Sequence, residues 1–499
     1  MRILHTSDWH LGRTFHGRVL DDAHAVFADH LVELARAEAV DAVVVSGDVY
    51  DRAIPPTDSV RLLDETLRRL SDITRVILTP GNHDSARRLG FASDLLREGL
   101  TIRARIADVD RPVIVPGPDG GDGLYVYALP YLDPDAARET LPPLLADRLG
   151  EEPTDAARTT VPDADRTAPE GAGGHSEKTT GDPPGTASDA PARRLPRSHE
   201  AVVSGALRLV AADLAARRTA APARVPALVM SHAFVVGGLP SEESERDIRV
   251  GGVDSVPSGV FASLGGSPSA RECGGLDYVA LGHLHRPQEI RSAGGAGRPN
   301  GPGKASGTGG PDHSSRSGGT GGPEAGESDG PGESGPPQRD SRPGPRLVYS
   351  GSPLALSFSE APFPKSSVLV ALGPDGVASL ERVPAPVPHR IETVTGTMDE
   401  LLSPAWDHAA GAWVRAVVRG PMPLGATSRL RERFGQVLAI VREEDEEAPR
   451  ERIVVTRAAD PLEVSAQFLA EVAERAPSPA ERAVLARAYE AVLASRGGE

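Results

Sequence analysis

A single cysteine, Cys273, in 499 residues excludes an internal disulfide and any thiolate-built metal cluster. Such scarcity fits a reducing compartment. No stretch approaches the ~18 consecutive apolar residues of a membrane span. The chain starts on a strand-like run, Ile3-Leu4-His5-Thr6, without the basic and apolar pattern of a secretory leader. A soluble cytoplasmic protein with no membrane association is therefore expected. Positive charge is also short: 54 Lys and Arg stand against 70 Asp and Glu, for a formal net charge of −16. That is the wrong sign for gripping nucleic acid by overall charge. A DNA substrate would have to be attracted by local Arg and Lys, by bound metal or by a partner subunit.

Two segments lack the means to build a core. Residues 151–197 hold only Val161 and Leu195 as larger aliphatics, and residues 294–345 hold no Val, Ile, Leu, Met, Phe, Tyr or Trp. Neither can bury enough apolar surface to offset chain entropy, so both are expected to be disordered surface loops, the second extending the tip of a hairpin. The rest alternates in character. Short apolar runs at 3–6, 42–46, 76–79, 125–129, 228–231 and 278–281 predict strands. Helical stripes run through Phe27, Leu31 and Leu34, through Val60, Leu63, Leu67 and Leu70, and through Val203, Leu207, Val210 and Leu214. Strands alternating with helices predict a layered α/β domain. After about residue 388, strands at 413–418, 437–441 and 453–456 with a helix near 427–434 predict a small α+β domain. Two helices, 462–475 and 480–494, close the chain.

The predicted strands end on side chains that bind metals. Run by run they lead into Asp8 and His10, Asp48, Asn82-His83-Asp84, His232, and His283 with His285. In open α/β sheets a site lies beyond the carboxyl ends of the strands, so five separate segments deliver these groups to one rim. Each signal alone is weak: a D-x-H pair, a Gly-Asp turn or a lone core histidine is common. The ordered set is not. Carboxylate, imidazole and amide oxygen without thiolate suit Mn²⁺, Fe²⁺ or Zn²⁺ rather than Ca²⁺. The seven groups Asp8, His10, Asp48, Asn82, His232, His283 and His285 are too many for one tetrahedral zinc and suit two ions, with Asp48 as the bridge.

The blocks MRILHTSDWHLG, SGDVYDRAIPP, TPGNHDS, DYVALGHLHRPQ and YSGSPLALSFSE resemble the calcineurin-like metallophosphoesterases, and within them the SbcD family of bacterial nuclease subunits. The resemblance implies a metallophosphoesterase β-sandwich flanked by helices (residues 1–385), an α+β domain that caps DNA (388–460) and a helical partner-binding tail (461–499). It implies two divalent ions, Mn²⁺ foremost, one held by Asp8, His10 and His285 and the other by Asn82, His232 and His283, with Asp48 shared. His83 takes the place of the catalytic histidine and Asp84 that of a carboxylate orienting it. The implied activity is a DNA nuclease, a 3′–5′ double-strand exonuclease and single-strand endonuclease acting on double-strand ends and hairpins in repair, recombination and replication. The implied partner is an SbcC-like ATPase with a coiled coil, in a heterotetramer containing a homodimer of this subunit.

Arg52, Arg87, Arg88 and Arg286 neighbour these motifs and are candidates for DNA phosphate contacts. The metal-binding groups by themselves leave other readings open: a phosphoesterase of nucleotides or phosphoproteins, or a non-catalytic scaffold tethering DNA ends.

Overall fold

The computed structural model describes residues 1–96, 98–150, 194–240, 255–270, 273–290, 344–443, 465, 469 and 477–496. Nearly all of the two low-complexity segments, the strand expected at 453–456 and most of the helix expected at 462–475 lie outside them.

The chain opens with a strand–helix alternation. Strands β1 (Arg2–Thr6), β2 (Ala42–Ser46), β3 (Arg75–Thr79) and β4 (Leu100–Ile102) pair side by side and parallel. Helix α1 (Asp21–Ala37) joins the first two and α2 (Thr57–Ser71) the next two. A second sheet follows, from β5 (Val113–Pro116), β6 (Asp122–Ala128), β7 (Ala227–His232), β8 (Tyr278–Gly282), β9 (Gln288–Ile290) and β10 (Arg346–Tyr349). Its helices are α3 (Pro134–Leu149) and α4 (His199–Ala220). The chain then returns to the first sheet with β11 (Ser366–Gly373) and β12 (Gly376–Pro384), antiparallel to their neighbours. Each sheet has six strands, ordered β12-β11-β1-β2-β3-β4 and β9-β10-β8-β7-β6-β5. Because β9 and β10 are antiparallel neighbours, residues 291–345 connect two paired strands, as expected for an extended hairpin.

Side-chain alternation explains the layering. Ile3, Val44 and Ile77 of the first sheet meet Val126, Met230, Ala280 and Val348 of the second in one buried cluster, so the two sheets pack face to face. The opposite faces carry Leu4, Val43, Val45 and Leu78 against Phe27, Leu31, Leu63 and Leu67 of α1 and α2. Likewise Tyr127, Val229, Val279 and Leu347 pack against Leu141 and Leu145 of α3 and Val203, Leu207 and Val210 of α4. The order is helix, sheet, sheet, helix. Strands covered on both faces need no polar alternation, which is why Ala42–Ser46 reads AVVVS and is buried at every position.

Beyond β12, strands β13 (Ile391–Gly396), β14 (Trp413–Arg419) and β15 (Val437–Glu443) form a three-stranded sheet, with helix α5 (Ala426–Phe434) before the last. Trp413 joins Phe15, Leu20, Leu354, Leu356 and Phe358 in a separate apolar cluster. The described residues fall into two compact units: Met1–Val417 with Pro423–Val441, and Val418–Met422 with Arg442–Glu499. The second includes α6 (Pro479–Arg496). Among the described residues no helix is long and apolar enough to cross a membrane.

Leu31 is fully buried between α1 and the first sheet. Truncating it to Ala is expected to cost about 2–5 kcal/mol, through lost transfer energy and a residual cavity. Urea denaturation followed by circular dichroism should show the main midpoint falling; an unchanged midpoint would mean that α1 does not pack as described.

Candidate metal centre

Parallel pairing of β1, β2 and β3 in one sheet, and of β7 and β8 in the other, sends all five carboxyl ends to the same rim. The expected residues meet there. Asp8, His10 and His285 present ligand atoms all within 4.8 Å of one another, as do Asp8, Asp48 and His232, and His10, Asp48 and His83. Asp48 is central: its Oδ2 lies 3.6 Å from His10 Nε2 and 3.4 Å from His232 Nε2. Asn82 completes the other side, with Oδ1 2.9 Å from His232 Nε2 and 3.3 Å from His283 Nδ1. The backbone N–H of His283 donates to Asp8 Oδ1 at 2.9 Å, tying the end of β8 to the loop after β1.

Two features show that the fold is forced into this arrangement. The first is backbone strain. Among the described residues eight non-glycine positions have positive φ, and four of them are Asp8 (φ 54), His10 (φ 48), Asp48 (φ 48) and His283 (φ 104). Each such conformation costs of order 1–3 kcal/mol and persists only where its surroundings over-determine it; clusters of this kind mark functional sites. The second is the close approach of the sheets. A Cβ built on Gly282 would lie 1.8 Å from the Ser46 carbonyl oxygen, and one on Gly47 2.3 Å from His232 Nδ1. Only glycine lets the ends of β2, β7 and β8 come near enough for His232 Nε2 to reach Asp48 Oδ2.

The electrostatics fit a cation. Asp8 and Asp48 are buried carboxylates. Burial alone would raise the Asp48 carboxyl, but the imidazoles of His232, His10 and His83 outweigh it and hold the group well below the ordinary carboxylate range. Burial likewise opposes a charged His232, yet the Asp48 carboxylate pushes it up to about 9. His283 is driven well below the usual imidazole value by burial and by neighbouring His232. His10 Nε2 and His285 Nε2 face each other at 3.1 Å, a distance at which two nitrogen lone pairs need a proton or a metal ion between them. Buried carboxylates, imidazole nitrogens and one amide oxygen make a donor set that suits divalent cations.

His83 is buried beside this cluster, its ring edge-on to His10 with centroids 4.7 Å apart. Its Nδ1 donates to the Asp51 carbonyl at 2.8 Å, which leaves Nε2 facing the cluster, 4.0 Å from Asp48 Oδ2. This corrects one expectation. Asp84 does not orient the ring through Nδ1; its carboxylate accepts backbone N–H groups from Gly81, Val49 and Tyr50, bracing the loops after β2 and β3. Burial, followed by the nearby Asp48 charge, pushes Asp84 up to about 7.

Of the four arginines, Arg52 and Arg87 are exposed, Arg88 is exposed while donating to the Ala53 carbonyl, and Arg286 lies over the ring of Phe363. Glu360 is absent from the set expected from sequence, yet it is fully buried with Oε1 3.0 Å from His285 Nδ1. Its only signal in the sequence is an acidic residue inside an otherwise apolar and small-residue block.

Gly282→Ala is expected to prise the ends of β2 and β8 apart and lower divalent-cation affinity by at least about 10-fold, the scale of a disturbed ligand shell. Gly259→Ala, where an added Cβ meets nothing within 4 Å, is the control. Isothermal titration calorimetry on both variants decides it; equal affinities would show that the approach of the strands is irrelevant to binding.

The comparisons agree with this geometry. Residues 1–149 match the calcineurin-like phosphoesterase family. The D subunit of the nuclease SbcCD from Rhodobacter capsulatus is 33% identical over 301 residues, which is 58% of this chain and 59% of that protein. Its namesake from Bacillus subtilis is 29% identical over 385 residues, 77% of this chain and 69% of that protein. The chain thus spans about three fifths of the first relative's length and about two thirds of the second's. Residues 1–149 thus resemble the calcineurin-like phosphoesterases, in a chain whose similarity to the D subunits of SbcCD nucleases runs well beyond them.

Proposed function

We propose that this chain is the metal-dependent DNA nuclease subunit of an SbcCD-like complex, hydrolysing phosphodiesters at double-strand ends and hairpins in repair, recombination and replication. The observation that carries the reading is the buried Asp48 carboxylate set between His10 and His232, within the wider set of Asp8, Asn82, His283 and His285. Its support for a nuclease in particular is the similarity to proteins named as nuclease subunits. In this reading Asp8, His10 and His285 hold one ion and Asn82, His232 and His283 the other, with Asp48 shared and Mn²⁺ the working metal.

Two bound divalent ions supply a water nucleophile active near neutral pH and neutralise charge on the non-bridging phosphate oxygens. The protein's own part is positioning and proton transfer. His83 Nδ1 keeps its proton and donates it in a hydrogen bond to the Asp51 carbonyl, so the ring can hold a second proton on Nε2 and donate it to the leaving oxygen. Asp84 keeps the neighbouring loops in register. Residues 388–460 would cap the DNA, and 461–499 would dock on a coiled-coil ATPase in a heterotetramer that contains a homodimer of this chain. The single cysteine fits a reducing compartment and so supports a cytoplasmic location.

Three outcomes test this. With Mn²⁺, the wild-type chain should degrade duplex ends and open hairpins, more so with the ATPase and ATP, while Asp48→Ala should be inactive. Hydrolysis of simple phosphate esters with every polynucleotide left intact would keep the site and overturn the substrate, favouring a nucleotide or phosphoprotein phosphoesterase. Second, His83→Ala should retain both ions by calorimetry and lose about 10²–10⁴ in kcat; full turnover would remove its catalytic role. Third, replacing Arg52, Arg87 and Arg88 with Ala should weaken DNA binding for every sequence. It should also flatten the dependence of log K on log salt by about 0.9 for each phosphate no longer neutralised, whereas an unaltered slope would place these arginines away from the phosphates.

A further inference from the structure

The block YSGSPLALSFSE follows β10, the parallel neighbour of β8, so it emerges beside the strand end that bears His283 and His285. It ends on Glu360, which is fully buried, and five residues later comes Lys365, only 6% exposed. An acid and a base buried this deeply are costly, and a well-packed apolar pair would hold the fold at least as well. Their contacts indicate what they do instead.

His285 has two ring nitrogens with opposite surroundings. Nε2 faces the cluster, 3.1 Å from His10 Nε2; Nδ1 lies 3.0 Å from Glu360 Oε1, and against a carboxylate it must be the donor. The proton therefore sits on Nδ1, and the Nε2 lone pair is turned to the side where Asp8 and His10 converge. Glu360 is itself held: Oε2 accepts from Lys365 Nζ, from Ser352 Oγ at 3.2 Å and from the Leu356 N–H at 3.2 Å. Lys365 Nζ also donates to the His285 carbonyl at 3.0 Å and to Ser352 Oγ at 2.9 Å. One ammonium group thus fixes the main chain of His285 and the carboxylate that holds its ring. A carboxylate behind a metal-binding imidazole fixes its tautomer and raises its basicity, and losing it typically costs about 10–100-fold in metal affinity.

We infer that Glu360, anchored by Lys365 and Ser352, is the positioning residue for His285, presenting its Nε2 to the ion shared with Asp8 and His10. The inference rests on the proposed two-ion reading of the site. Glu360 touches neither substrate nor ion; it acts through His285.

The test is Mn²⁺ binding by the full-length, metal-stripped chain, followed by calorimetry and by metal content after gel filtration. E360M/K365M removes both buried charges and keeps side-chain volume, so the fold should survive, with a thermal midpoint for the metal-free protein close to wild type. One of the two Mn²⁺ sites should weaken about 10–100-fold, with the other retained. E360Q/K365M keeps an acceptor for Nδ1–H and should lose less, giving an intermediate affinity. Both variants binding both ions within about twofold of wild type would overturn the inference, and so would loss of affinity only in step with a lowered midpoint of the metal-free protein. If E360M/K365M fails to fold, E360Q/K365M decides alone: weaker binding at one site supports the role and wild-type binding at both ends it. A wild-type chain that takes up no Mn²⁺ would instead overturn the two-ion reading on which the inference stands.

Discussion

Two carboxylates, Asp8 and Asp48, are carried into a seam between two sheets and almost completely removed from water. Removing an ion from water carries an effective penalty of several kcal/mol, and a lone buried carboxylate would take up a proton instead. Here the compensation comes from imidazoles: His232 and His10 approach the same oxygen of Asp48, one from each sheet. Much of the surrounding architecture follows from meeting this one demand. Parallel strands in both sheets are needed so that the carboxyl ends coincide, and face-to-face packing is needed so that β2 and β8 end side by side.

That meeting has local costs, and they fall on the residues that make it. Asp8, His10, Asp48 and His283 all take left-handed backbone conformations, and Gly47 and Gly282 sit where any side chain would strike the facing sheet. A core selected for stability alone would relax these positions. They are held because the layers on either side are buried and apolar throughout, from Leu31 and Leu63 on one flank to Leu141 and Leu207 on the other. The apolar layers supply the rigidity, and the strain is concentrated at the rim, the pattern by which folds store preorganisation at functional sites.

The sequence carried most of this because the information is local. A buried parallel strand followed at once by Asp, His or Asn is a pattern within a few residues, so Asp8, Asp48, Asn82, His232 and His283 could be found from their strand ends. Helices α1, α2 and α4 showed through their apolar stripes. What stayed hidden depends on the third dimension. Glu360 lies 75 residues from His285, and only the pairing of β10 with β8 brings them together. Asp84 adjoins His83 in the chain and reads as its partner, yet the geometry of the turn aims its oxygens at backbone amides and leaves the ring to a main-chain carbonyl. Helix α3 contains Pro142 and Pro143, which disrupt the helical signal although Asp133 caps its start and Gly150 its end. Strands β11 and β12 return to the first sheet after a whole second sheet has been built, an order that no local pattern reveals.

The net charge of −16 argues against nucleic acid only if the whole chain is felt at once. At physiological ionic strength a charge is screened over about 8 Å, so a phosphate at the rim responds to what lies within that distance. Within it Asp8 and Asp48 are buried, Asp48 against the imidazoles of His10 and His232, and two bound divalent cations would outweigh their charge. The arginines at 52, 87 and 88 are exposed close by in the chain. In the proposed reading, metal loading therefore adds to the exposed arginines, and the loaded rim becomes a locally positive surface on an acidic protein. Substrate affinity and catalytic competence would then depend on the same pair of cations, and so on the same five strand ends that hold them.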